Sequence, residues 1–149
     1  MDLRFKVHTK IQKSVSEVFD AVYNPKKLSG YFTTGGASAP LDEGKTVKWE
    51  FADYPGSFPV HIKQVIPNQL IVLEWQADGS EDAPYNTRVE MHFEAIDSNN
   101  TLVSISESGW KDDPKNLEKS YGNCMGWSQM LSALKAYVEY GINLRKGAY

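Results

Sequence analysis

Polar and apolar residues alternate from the start of the chain: Leu3, Phe5, Val7 and Thr9 fall on one side, Arg4, Lys6, His8 and Lys10 on the other. That period of two predicts a half-buried strand over residues 3–11. The period then changes. Ser14 can cap a helix, with Glu17 three residues on as a capping box requires, and Val15, Val18, Phe19 and Val22 recur at helical spacing. Asn24-Pro25 ends that helix, because proline restrains the residue before it and has no amide donor. Pro25 can open a second short helix through Leu28 to about Gly30. Gly35-Gly36 and the following Ala-Ser-Ala-Pro mark a loop.

The middle of the chain reads as β-structure. Val47, Trp49 and Phe51 share one face of a strand over 46–52, and residues 57–66 form the next strand. Pro67-Asn68-Gln69 turns into a strand over 70–76. Residues 77–84 are polar, with Gly79 and Pro84, and predict a loop. Over 85–96, Thr87, Val89, Met91 and Phe93 alternate with Arg88, Glu90, His92 and Glu94. Asp97-Ser98-Asn99-Asn100 makes a hairpin turn into a strand over 101–109, which sets Val103, Ile105, Glu107 and Gly109 on one face.

Asp112-Asp113-Pro114 starts a helix, with acids where the dipole favours them. Leu117, Tyr121, Cys124, Trp127, Leu131, Leu134 and Val138 then step by three and four residues, and Met130 and Tyr137 widen the stripe. Gly122 and Gly126 interrupt it, each at a cost of about 1 kcal/mol relative to alanine. Close backbone packing or room for a bend would offset that cost. The order is strand, two short helices, about six strands and one long helix. It predicts a single α+β domain over 1–149, a curved antiparallel sheet of about seven strands around a long C-terminal helix. A helix about 10–12 Å wide cannot completely fill the concave side of a strongly bent sheet, so a cavity is expected between them, although periodicity alone does not show one.

Composition narrows the function classes. Hydrophobic residues make up 41% and charged residues 23% of the 149, enough apolar surface for a folded core. The net charge of −3 offers no field for phosphate backbones, which argues against nucleic acid. Cys124 is the only cysteine, so no internal disulfide forms. The amino-terminal residues lack a signal-peptide core, and no apolar run reaches the 18 or so residues of a membrane span. A cytoplasmic location is the default. No His/Cys/Asp/Glu cluster has metal-ligand spacing, and no cofactor motif is present.

Several short stretches resemble the START-like, or SRPBCC, superfamily. They are most similar to its branch of homologues of the activator of a heat-shock chaperone's ATPase. The residues from Val15 to Val22 resemble that family's first helix. Asn24-Pro25 through Tyr31-Phe32 resembles its proline-ended dipeptide followed by aromatic-Phe. Pro67 with Leu70 to Trp75 resembles its proline turn and Trp-ended strand. Thr101 through Ser108-Gly109-Trp110 resembles its strand closing on small-Gly-aromatic, and Gly126-Trp127 with Leu131 and Leu134 its last helix. The stretches cover nearly the whole chain, although Glu107 stands where family members often carry histidine and 36–44 aligns poorly. The resemblance implies a helix-grip fold, frequently with an apolar cavity, whose members bind lipids, polyketides or hormones or act as co-chaperones. It identifies fold far better than function.

Glu107 is the sharpest residue, because its parity points a carboxylate inward, where an unpaired charge is costly. It reads as a cavity acid or an acceptor that orients a ligand. Equally, it reads as an acid paired with a nearby Lys, Arg or Tyr, or one sitting at the cavity mouth. His61 pairs with it in an acid–base reading, or else lies on the surface; Val60 and Ile62 share one parity, His61 and Val65 the other. Tyr31, Trp49, Phe51, Trp75, Met91, Phe93, Trp110, Trp127, Met130 and Leu131 line the expected cavity, or pack together as core. Three functions follow: a module enclosing a hydrophobic small molecule or lipid; a co-chaperone-like domain binding a protein partner; and a cyclase- or hydratase-like enzyme using Glu107, assisted by His61 or Tyr31.

Overall fold

Each element ends where its local chemistry requires. The Ser14 hydroxyl accepts from the Glu17 amide at the start of helix α1 (Val15–Tyr23). Asn24 ends α1 and caps the one-turn helix α2 (Pro25–Leu28), its side chain accepting from the Lys26 amide at 3.0 Å. Asp113 caps α3 (Pro114–Tyr140) by accepting from the Asn116 amide at 2.8 Å, with Pro114 in the first turn. Gly141 closes α3 at φ 70°, a left-handed cap that glycine adopts without penalty.

The computed structural model describes residues 1–77 and 84–149; most of the predicted 77–84 loop lies outside the described residues. The strands are β1 (Leu3–Ile11), β2 (Gly36–Ala37), β3 (Thr46–Phe51), β4 (Tyr54–Ile66), β5 (Leu70–Gln76), β6 (Asn86–Asp97) and β7 (Asn100–Trp110). They form one antiparallel seven-stranded sheet in the order β1-β7-β6-β5-β4-β3-β2. The sheet curves around α3 as the pattern predicts. Two details differ: β2 forms inside the stretch read as a loop, and β4 begins three residues earlier than the 57–66 strand.

Bulges decide which side chains face inward. In β4, Ile62 pairs with Leu73 but Gln64 pairs with Val72, so Lys63 is an extra residue. Val60 and Ile62 are buried before it, and Val65 packs on the core after it. The parity conflict in this strand is therefore one inserted residue. In β7, Leu3 pairs with Trp110 while Arg4 pairs with Ser108. The extra residue is Gly109 at φ 101°, a conformation for which glycine is suited. That bulge turns Trp110 onto the same face as Glu107.

α3 lies closest to β1. Its buried side chains are Ser120, Trp127, Met130, Leu131, Ala133 and Leu134. Each large one contributes about 1.5–3 kcal/mol by leaving water, which outweighs the glycine penalties. The predicted stripe is wrong in the first half of the helix: Tyr121 is 65% exposed and Cys124 is half-buried. Close packing among the described residues does not explain Gly122 and Gly126 either, since a Cβ at either position meets none of them within 4 Å.

Candidate functional site

Glu107 is fully buried, and none of its partners among the described residues is a cation. Its Oε2 accepts from the Thr87 hydroxyl at 2.6 Å and from Trp75 Nε1–H at 3.0 Å. Its Oε1 accepts from Trp127 Nε1–H at 2.8 Å. The Asn123 amide donates to Oε1 at 3.1 Å and to Oε2 at 3.3 Å. Both outcomes of the paired-or-exposed alternative fail: the partners are two indoles, a hydroxyl and an amide. A carboxylate has about four lone-pair directions, and these donors fill them with charge-assisted bonds. Burial without them would be prohibitive.

Sheet register explains the convergence. Glu107 on β7 pairs with Val89 on β6, and Thr87 lies two residues along that same face. Thr87 in turn pairs with Trp75 on β5. Asn123 and Trp127 stand one helical turn apart on α3 and reach down from above. One carboxylate thereby ties three strands to the helix.

Aromatic rings run outward from this point. Trp75 lies 5.5 Å from Trp127 and 5.7 Å from Trp49. Phe32 lies 5.5 Å from both Trp49 and Trp127, and 5.1 Å from Phe51. Residues expected to line a cavity here meet each other ring to ring. Trp49 is fully buried, yet its indole N–H has no hydrogen-bond partner among the described residues. Trp75, Asn123, Gly126, Phe51 and Phe58 are half-buried, and they mark where the cluster comes nearest the surface.

The structure thus assembles Trp49, Phe51, Trp75, Glu107 and Trp127, and places the other predicted residues elsewhere. Met91, Phe93, Met130 and Leu131 belong to the main core, Phe93 edge-on to Phe19 at 5.2 Å. Trp110 joins a separate cluster with Leu3 and Ala77. Tyr31 is buried against Tyr137, donates to the Ala21 carbonyl at 3.0 Å, and has its pKa pushed well above the tyrosine range by burial. His61 lies on the opposite face of β4 from Val60 and Ile62, its Nδ1 2.9 Å from the Thr46 hydroxyl, so no His61–Glu107 couple forms. Thr87, Asn123 and Phe32 were missed as site residues. Thr87 carried a signal, a hydroxyl among apolar residues of one parity.

The segment after α3 makes further polar contacts near the aromatic cluster. After Gly141 the chain reverses along α3, where the Tyr149 hydroxyl donates to Gln129 Oε1 at 2.7 Å. Arg145 forks onto Asp53, between β3 and β4, with both bonds at 2.7 Å. Its guanidinium lies 4.7 Å from the Phe51 ring centre, 4.9 Å from Tyr149 and 5.7 Å from Phe32. A pocket of about 260 Å³ lies between this segment and α3, lined by Tyr31, Met130, Leu144, Arg145 and Tyr149 among others. Among the described residues, no group of three or more His, Cys, Asp or Glu is placed to hold a metal, and no helix is long and apolar enough to cross a membrane.

A curved antiparallel sheet gripping a long C-terminal helix is the helix-grip architecture of START-like proteins. Within that class the chain belongs to the family of Activator of Hsp90 ATPase homolog 1-like proteins, whose model matches residues 12–139. Among solved structures it is similar to protein SSP2350 from Staphylococcus saprophyticus, at 26% identity and TM-score 0.79, over 96% of each chain. The Aha1 dimer from Colwellia psychrerythraea shares the fold at 20% identity and TM-score 0.74, over 93% of this chain and 98% of that one. DynU16, a putative protein in the dynemicin biosynthetic locus, shares it at 21% identity and TM-score 0.77. That match covers 93% of this chain but 48% of DynU16. No curated protein matches the sequence.

Proposed function

We propose that this protein binds a hydrophobic, ring-containing small molecule between the sheet and α3, with Glu107 as the acceptor that orients it. The observation that carries this reading is the Glu107 constellation. A fully buried carboxylate held only by neutral donors is a costly way to fill a core, since well-packed apolar residues would serve stability as well or better. Trp75 and Trp127 meet it through their N–H edges, with their rings packed on one another, and the nearby Trp49 N–H has no partner among the described residues. A ligand with a hydroxyl for Glu107, a carbonyl for Trp49 and a planar apolar body matches these groups. Because the rings touch one another, entry requires Phe32 or Trp75 to swing aside.

Acid–base catalysis has less support, as His61 faces away and every group touching Glu107 is a donor rather than an orienting base. The test is a titration of the native protein with fatty acids, phenols and polycyclic ketones, followed by tryptophan fluorescence and native mass spectrometry. Saturable one-to-one quenching that weakens about tenfold or more in Glu107→Gln is expected, the loss of a buried hydrogen bond to charge. Binding that ignores this substitution, or no binding by any class, would overturn the reading.

A further inference from the structure

The segment after α3 has a job that its sequence does not advertise. Residues 143–149 hold contacts at two places: Tyr149 bonds Gln129 of α3, and Arg145 grips Asp53 between β3 and β4. Arg145 is also the outermost member of the aromatic series. Its guanidinium covers Phe51 and Phe32, and Phe32 touches Trp49 and Trp127. From the surface inward the order is Arg145, Phe32, Trp127, Glu107.

We propose that residues 143–149 are a latch, pinned by the Arg145–Asp53 ion pair, that controls access to the aromatic cluster and Glu107. Control of ligand entry rests on the binding reading above; the latch itself does not. The contacts suit a reversible closure. Arg145 and Asp53 have side chains 16% and 19% exposed, dry enough for a firm bidentate pair and wet enough to release it. Leu144 and Tyr149 are already half exposed, so lifting the segment adds little water-exposed apolar surface of its own. The Gly141 cap separates latch from helix, which lets the segment move while α3 stays docked.

Acrylamide quenching of tryptophan fluorescence tests this without any ligand. In a Trp110→Phe background the signal comes from Trp49, Trp75 and Trp127. Asp53→Asn and Arg145→Gln each remove the ion pair, and each should raise the quenching constant about twofold or more with the far-ultraviolet circular dichroism unchanged. Wild-type quenching in both folded variants would overturn the latch. Native hydrogen exchange on the unaltered protein guards against variants that fold poorly. The amides of Arg145, Lys146 and Ala148 are hydrogen-bonded within the segment and should exchange well before those of 127–134. Exchange of both sets together would overturn the latch as an independent unit. Ligand association should also quicken in Asp53→Asn. Raised quenching with no compound bound would leave the latch standing and remove the binding reading; binding at an unchanged rate with unchanged quenching would do the reverse.

Discussion

Replacing Glu107 with Gln keeps the shape and changes one oxygen to NH₂, so its cost can be worked out donor by donor. If the amide oxygen takes the Oε2 place, Trp75 and Thr87 keep their acceptor, and the new NH₂ faces the Trp127 indole N–H and Asn123. Asn123 can flip to present its carbonyl. Trp127 cannot, and its N–H is orphaned. In the other orientation Trp127 and Asn123 are satisfied and the Thr87 hydroxyl rotates to accept, but the Trp75 N–H is orphaned. Either way one indole donor loses its partner inside the protein, at about 1–3 kcal/mol, and the surviving bonds lose their charge assistance. Relief of the buried charge works in the opposite direction. Four donors on one carboxylate outweigh it, so the net expectation is destabilisation by about 2 kcal/mol at pH 7. For a chain of this length that lowers the melting temperature by about 4–8 °C. Trp127→Phe should then cost less in the Gln background than in the wild type, with a coupling of about 1 kcal/mol or more. A Glu107→Gln protein as stable as the wild type, or more so, would refute the claim that these donors hold the charge.

Thr87→Val removes the shortest bond to Glu107 while conserving volume, and should cost about 1–2 kcal/mol in a denaturant titration. Gly122→Ala and Gly126→Ala place a helical Cβ that meets none of the described residues, so each should raise stability by up to about 1 kcal/mol; a loss in thermal melts would contradict that expectation. Asp113 has its pKa lowered, first by the Asn116 amide N–H and then by the Asn116 side chain. A lowered folded value gives stability that is present above the usual aspartate value near 3.8 and is lost as pH falls through the folded one. Asparagine caps as well as aspartate, so Asp113→Asn should match the wild type more closely as the melt pH drops below about 4.

The architecture was legible because most of it is written in short periods. Alternation located β1, β6 and β7, and the Ser14, Asn24, Asp97 and Asp113 signals marked ends that the structure keeps. Inserted residues were not legible. Lys63 carries no mark of being a bulge, and without it the parity of His61 against Val65 has no solution. The first half of α3 misled for another reason. An apolar stripe through Tyr121 and Cys124 looks like the buried face, while the inward positions hold the polar Ser120 and Asn123. Hydrophobic spacing cannot find a helix face that is buried for hydrogen bonding. Nor does any local pattern join Asp53 to Arg145, since the pairing depends on the chain reversing after Gly141.

Glu107 shows why stability and binding would be coupled in this site. Its four donors differ in what they lose on release. The two indoles and Thr87 belong to a packed interior where water offers little compensation, and an unpaired donor is expensive. Asn123 is half-buried and can bond water instead. On the proposed reading, a ligand hydroxyl arriving at Glu107 would therefore displace Asn123 before it displaced Trp127. Releasing Asn123 frees one of the two α3 residues that, among the described residues, donate to this carboxylate, the other being Trp127. Binding would thus loosen the helix at 123 while keeping it anchored at 127. Asn123→Ala separates the roles: it removes the competitor, so a hydroxyl-bearing ligand should bind more tightly, while the ligand-free protein loses about 1 kcal/mol. Weaker binding in that variant would mean that Asn123 holds the ligand rather than yields to it.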